Sequence, residues 1–162
     1  MEISFLQKMK EHPKPRKSMN RDRGLSLDKI ETLEIEINNG NLFPKAYREY
    51  LFLGGDYNSL GLSIAFEESK SWEDIPAIKR VATVEMQKQK LSIERPYSIL
   101  HYYDDDGFIF IYLDEGDNPQ PYIFEPFPLK NKEHIFPVKN IDSFSAFIDD
   151  LVDGALKGLQ PF

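Results

Sequence analysis

The chain has 162 residues, 41% hydrophobic and 13% aromatic, which fits one folded domain and excludes a disordered chain. It has no cysteine, so disulfides, thiol nucleophiles and Cys-ligated zinc are ruled out. The formal net charge of −7 argues against nucleic acid as a partner, because the phosphate term would be repulsive, and favours a basic protein partner.

The charge is unevenly spread. Residues 1–24 carry seven basic side chains (Lys8, Lys10, Lys14, Arg16, Lys17, Arg21, Arg23) against Glu2, Glu11 and Asp22, a local +4 that leaves −11 on residues 25–162. With Pro13 and Pro15 inside the basic run, residues 1–25 read as a flexible arm, with a short helix over Ile3–Lys10. The N-terminus has no apolar h-region with a small-residue cleavage site, and no apolar run approaches 18 residues. The expected compartment is therefore the cytoplasm, with no membrane contact.

A first full helix is predicted from Ser26 or Asp28, with Leu27, Ile30, Leu33 and Ile37 on one face, ending at Asn38-Asn39-Gly40. A second begins at Pro44. Its apolar stripe is Phe43, Tyr47, Tyr50 and Leu51, its water-facing side Lys45, Arg48 and Glu49, and its stop Gly54-Gly55. Leu60–Phe66 reads as a strand and Glu67–Asp74, with Trp72, as a polar connection. Ile75–Lys90 has helical character, with Ile78, Val81, Ala82 and Met86 on one face. Phe127–Lys139, interrupted by prolines, reads as irregular chain or an edge strand. A last helix opens at Asp142 or Ser143 and buries Phe144, Phe147, Ile148 and Leu151.

Between these helices lies the most ordered pattern in the chain, Tyr97–Phe127. Two acidic turns, Asp104–Gly107 and Asp114–Gln120, divide it into apolar and aromatic runs. Asp-Gly between such runs signals a hairpin, because the turn needs positive φ. Three consecutive antiparallel strands follow. In the middle one, Phe108, Phe110 and Tyr112 share one face, and Ile109, Ile111 and Leu113 the other. Both faces are apolar and both need cover. The expected fold is α+β, a single antiparallel sheet of about four to six strands with helices packed on it.

Little in the sequence speaks for catalysis. His12, His101 and His134 have no metal-ligand spacing, and phosphate loops, dinucleotide fingerprints and nucleophile elbows are all missing. Aligning Gly107 with position six of a calcium loop puts Tyr102 and Leu113 where oxygen ligands belong. No catalytic, cofactor or metal residue is therefore assigned. The candidate contacts to a basic partner are the carboxylates of the two turns, Asp104, Asp105 and Asp106 in one and Asp114, Glu115 and Asp117 in the next. Successive hairpin connections fall at opposite ends of a sheet, so the two clusters should not form one patch. Phe108, Phe110, Tyr112, Tyr122 and Phe124 are either an exposed gripping platform or ordinary core.

The series Phe43-Pro44-x-x-Tyr47-x-x-Tyr50-Leu51-x-x-Gly54-Gly55, then Gly61-Leu-Ser-Ile64, the aromatic strands with their acidic turns and the closing Phe144–Leu151 helix resembles the SMI1/KNR4 family, or SUKH superfamily. The resemblance covers residues 26–153 and leaves 154–162 as a tail. It implies helices on one antiparallel sheet. It also implies a non-enzymatic bacterial immunity protein that neutralises a polymorphic toxin, often a nuclease. The alternative, after the fungal members, is a regulatory or scaffolding module without a toxin partner.

Overall fold

The computed structural model describes residues 1–62, 71–103, 106–128 and 133–159. Its elements run α1 (Gln7–Glu11), α2 (Leu27–Asn38), α3 (Lys45–Gly54), α4 (Ser71–Lys88), β1 (Tyr97–Tyr102), β2 (Phe108–Tyr112), β3 (Pro121–Phe124), β4 (Ile135–Pro137) and α5 (Phe144–Leu156). The four strands form one antiparallel sheet in the order β1-β2-β3-β4. This is the expected α+β arrangement, at the low end of the expected strand number.

The sheet follows the sequence pattern with one exception. Ile99 pairs with Phe110 but His101 pairs with Ile109, so Leu100 is an extra residue in β1. Such a bulge reverses the alternation beyond it. Tyr97, Ile99 and Tyr102 consequently share a face with Phe108, Phe110 and Phe124. The prolines obey strand rules: Pro121 opens β3 and Pro137 closes the edge strand β4.

Helices cover both faces. The Ser98 hydroxyl shares a buried 2.8 Å hydrogen bond with that of Tyr47 in α3, whose ring meets Phe144 of α5 edge-on. The neighbouring Tyr97 points the other way, where its hydroxyl lies 3.3 Å from Thr83 of α4. Phe108, Phe110 and Phe124 are buried on this second face, so they are core and not an exposed platform. Tyr112 and Tyr122 stay half-buried at one end of it.

Several local expectations are corrected. Residues 1–25 are not a loose arm: Ile3, Leu6 and Met9, spaced by three, are buried, and Lys8 pairs with Asp153 of α5 at 3.0 Å. Glu49 does not face water. It is wholly buried, and its carboxylate accepts from Ser4 N and Oγ and from Phe5 N and Leu6 N at 2.8–3.0 Å. The chain then crosses the end of α3 at Gly24, where a Cβ would stand 1.5 Å from Phe52 O, so only glycine fits.

Leu27 and Val81, assigned to buried faces, are exposed. Trp72 lies within α4, which starts earlier than its apolar pattern, and α5 continues past residue 153 to Leu156. Of the strand expected over Leu60–Phe66, residues 63–66 lie outside the described residues; Leu60 and Leu62 are buried in irregular chain.

Candidate interaction surface

The β1–β2 ladder continues past the strand ends, because Leu113 N donates to Pro96 O at 2.8 Å. With Tyr97 opposite Tyr112, this register sets Arg95 opposite Asp114. The guanidinium uses that position fully. Arg95 Nη2 donates to Asp114 Oδ1 at 2.6 Å and Nη1 to Glu115 Oε1 at 3.0 Å, and the guanidinium carbon sits 3.9 Å from the centre of the Tyr112 ring. Tyr122, paired across the sheet with Phe110, donates its hydroxyl to Glu115 Oε1 at 3.2 Å and meets Tyr112 at 5.0 Å between ring centres. Arginine, two tyrosines and two carboxylates are thereby locked to each other at the surface.

The connection that carries them is anchored to two helices. Asp117 O accepts from Ala46 N, one of the otherwise unpaired first-turn amides of α3. Asn118 Oδ1 accepts from Ser145 N and its amide donates to Ser145 Oγ, so it serves the start of α5. Gly116, at φ +76°, makes the turn that leaves Asp117 exposed beside the pair.

Charge follows geometry here. Hydrogen bonds from the Arg95 guanidinium hold the Asp114 carboxyl below its usual range, and the same carboxylate raises the Arg95 guanidinium further. Burial raises the phenols of Tyr112 and Tyr122, with Arg95 opposing and Glu115 adding to the effect, so both stay neutral at pH 7. Arg95→Gln should move the Asp114 titration, followed by carboxyl carbon NMR, up towards an ordinary aspartate. The stabilisation lost should be only about 0.5 kcal/mol, because the pair is solvent-exposed. The contribution of Asp114 is present above its unfolded pKa and disappears as pH falls through the lower folded one. An unchanged Asp114 titration would contradict the pairing.

The six carboxylates predicted to contact a partner do not gather in one place. Asp114, Glu115 and Asp117 share this end of the sheet. Asp106 sits at the other end, in the β1–β2 turn, with φ +65° and Oδ1 accepting from the Tyr102 hydroxyl at 3.1 Å. Asp104 and Asp105 lie outside the described residues. The sequence reading missed Arg95. Its position was hidden by the bulge: carried back from Tyr102 opposite Phe108 without the extra Leu100, the register sets Pro96, not Arg95, against Asp114.

The histidines stand elsewhere. His101 packs edge-on against Tyr103 at 4.7 Å, and burial lowers its pKa. His134 Nδ1 is bonded to Glu125 O. Among the described residues, no three His, Asp or Glu side chains converge as a metal site requires, and no helix is long and apolar enough to cross a membrane. Comparison with protein-family models, curated proteins and solved structures gives no match to the chain.

Proposed function

We propose that the chain is a non-enzymatic immunity protein that binds a basic toxin domain in the cytoplasm, a nuclease in the leading version, and covers its active site. The carrying observation is the preassembled surface of Arg95, Tyr112, Asp114, Glu115, Asp117 and Tyr122. Tyrosine and arginine are the residue types that dominate binding energy at protein interfaces, and here they are already ordered, so little side-chain entropy is lost on docking. Three carboxylates against one guanidinium leave the patch negative. It therefore complements cations that would otherwise hold nucleic-acid phosphates, and it speeds encounter with them. The resemblance to SMI1/KNR4 proteins points the same way.

The test is co-expression with the toxin domain encoded beside the gene. Growth should be rescued, a complex should co-purify, and Asp117→Lys combined with Tyr122→Ala should weaken it by about 30-fold, or 2 kcal/mol. Neither rescue nor complex would remove the immunity reading and favour a regulatory module. A complex indifferent to the two substitutions would move the interface away from this end of the sheet.

A further inference from the structure

A concave feature lies where the C-terminal end of α2, the face of α4 and the chain entering β1 meet. It is an open cleft of about 730 Å³, within the size range of sites that hold small molecules. Lys79 of α4 lines it. The ammonium donates to Ile37 O at 3.1 Å and Tyr97 O at 2.9 Å and lies 4.6 Å from the centre of the Tyr97 ring. These partners use two of its three N–H bonds, and none is a carboxylate. The next residue, Arg80, adds an exposed guanidinium to the same wall.

We infer that this cleft binds an organic anion, a carboxylate or a phosphate ester carried on an apolar body, with Lys79 and Arg80 holding the charge and Val84 and Ile93 packing the body.

Three features of the site support that chemistry. At the end of α2, where carbonyls would repel an anion, three are already engaged: Glu34 O by Gly40 N, Ile37 O by Lys79, and Asn38 O by Asn41. Val84 is 50% exposed, an apolar surface without cover beside the two cations. Finally, burial pushes the Lys79 ammonium below the ordinary lysine value, so its charge is under-compensated and an anion would supply what the two carbonyls do not. Glu36 and Glu94 also line the cleft, and both are exposed, where water screens them. The cleft touches the proposed toxin-binding patch only through Arg95, and its test needs no toxin.

Titrating the full chain with 4-phenylbutyrate, phenyl phosphate and 4-phenylbutanol, followed by amide NMR, tests the inference. Saturable shifts should centre on Lys79, Thr83, Val84 and Ile93 with one or both anions, the tighter of which identifies the acid group. The neutral alcohol should bind at least about tenfold more weakly, the value of one good charge partner. Lys79→Met should cost a similar factor. Since Lys79 also ties α2 to β1, Arg80→Gln and Val84→Trp at exposed positions provide variants that keep the fold, and each should weaken binding at least about fivefold. Shifts that do not saturate, an alcohol that binds as well as the acids, or binding unmoved by Arg80→Gln and Val84→Trp would each overturn it.

Discussion

Replacing Glu49 with glutamine is expected to lower the free energy of unfolding by about 2–3 kcal/mol, because hydrogen bonds to a buried charge are lost while their donors stay buried. The geometry makes the isosteric change severe. Oε1 accepts from Ser4 N and Oγ, and Oε2 accepts from Phe5 N and Leu6 N. One orientation of a carboxamide sets its –NH2 against both Phe5 N and Leu6 N, and the other sets it against Ser4 N, where the Ser4 hydroxyl alone can turn to accept. Burial alone would raise the Glu49 carboxyl, but the backbone bonds from Ser4, Leu6 and Phe5 and the Ser4 hydroxyl outweigh it, so the group titrates below its ordinary 4.5. A lowered carboxylate stabilises the fold above its unfolded pKa, and that contribution vanishes as pH falls through the folded value. The variant should therefore lose the Glu49 share of the acid dependence along with the Glu49 share of the stability at neutral pH.

Urea unfolding gives the magnitude. Amide exchange at Ser4–Met9 gives the location, since α1 and the turn before it should lose protection first. The segment is held in addition by buried Leu6 and Met9, so the variant should stay folded at neutral pH. A change below about 0.5 kcal/mol, the size of an ordinary surface substitution, with exchange unaltered, would mean that the carboxylate does not hold the N-terminal segment.

Glu49 also shows where sequence reasoning stopped. On α3 it lies far round from the Tyr47–Tyr50–Leu51 stripe, the usual place for a solvated charge, and what covers it is a segment 43–45 residues away. Nothing local encodes that cover. In the N-terminal segment the triplet spacing of Ile3, Leu6 and Met9 did carry a signal, hidden under a basic run and two prolines. The central sheet was legible because its information is local: an Asp-Gly turn fixes the hairpin and the alternation fixes the faces. Even there, the extra residue Leu100 was invisible, and it is what brings Tyr102 onto the aromatic face. The candidate surface was half legible. Its acids were plain from composition, whereas Arg95 faces Asp114 only because the Leu100 bulge shifts the register by one residue. Leu27 and Val81 fit their helical stripes by angle, yet they stand at positions no neighbouring element covers.

The largest loss of stability is expected from Phe108→Ala, about 3–5 kcal/mol, the usual range for emptying a buried aromatic site. Against a typical total of about 5–15 kcal/mol, that can leave the chain partly unfolded at room temperature. Phe108 is fully buried at the start of β2, with its ring 4.8 Å from Phe124, 5.7 Å from Phe110, 6.1 Å from Tyr102 and 6.3 Å from Tyr97, measured between centres. Each well-placed aromatic pair adds about 0.5–1.5 kcal/mol beyond the area it buries, and one truncation removes them all. Phe108→Leu keeps much of the volume and should cost clearly less. The pair of variants also separates core from gripping platform. A core residue affects a partner only through the folded fraction, so Phe108→Leu, still folded, should bind with unchanged affinity and reduced near-ultraviolet aromatic dichroism. If Phe108→Leu instead weakened a complex at full folding, while Tyr122→Ala did not, the binding face would lie on the aromatic side of the sheet and the surface around Arg95 would be mere decoration of a turn.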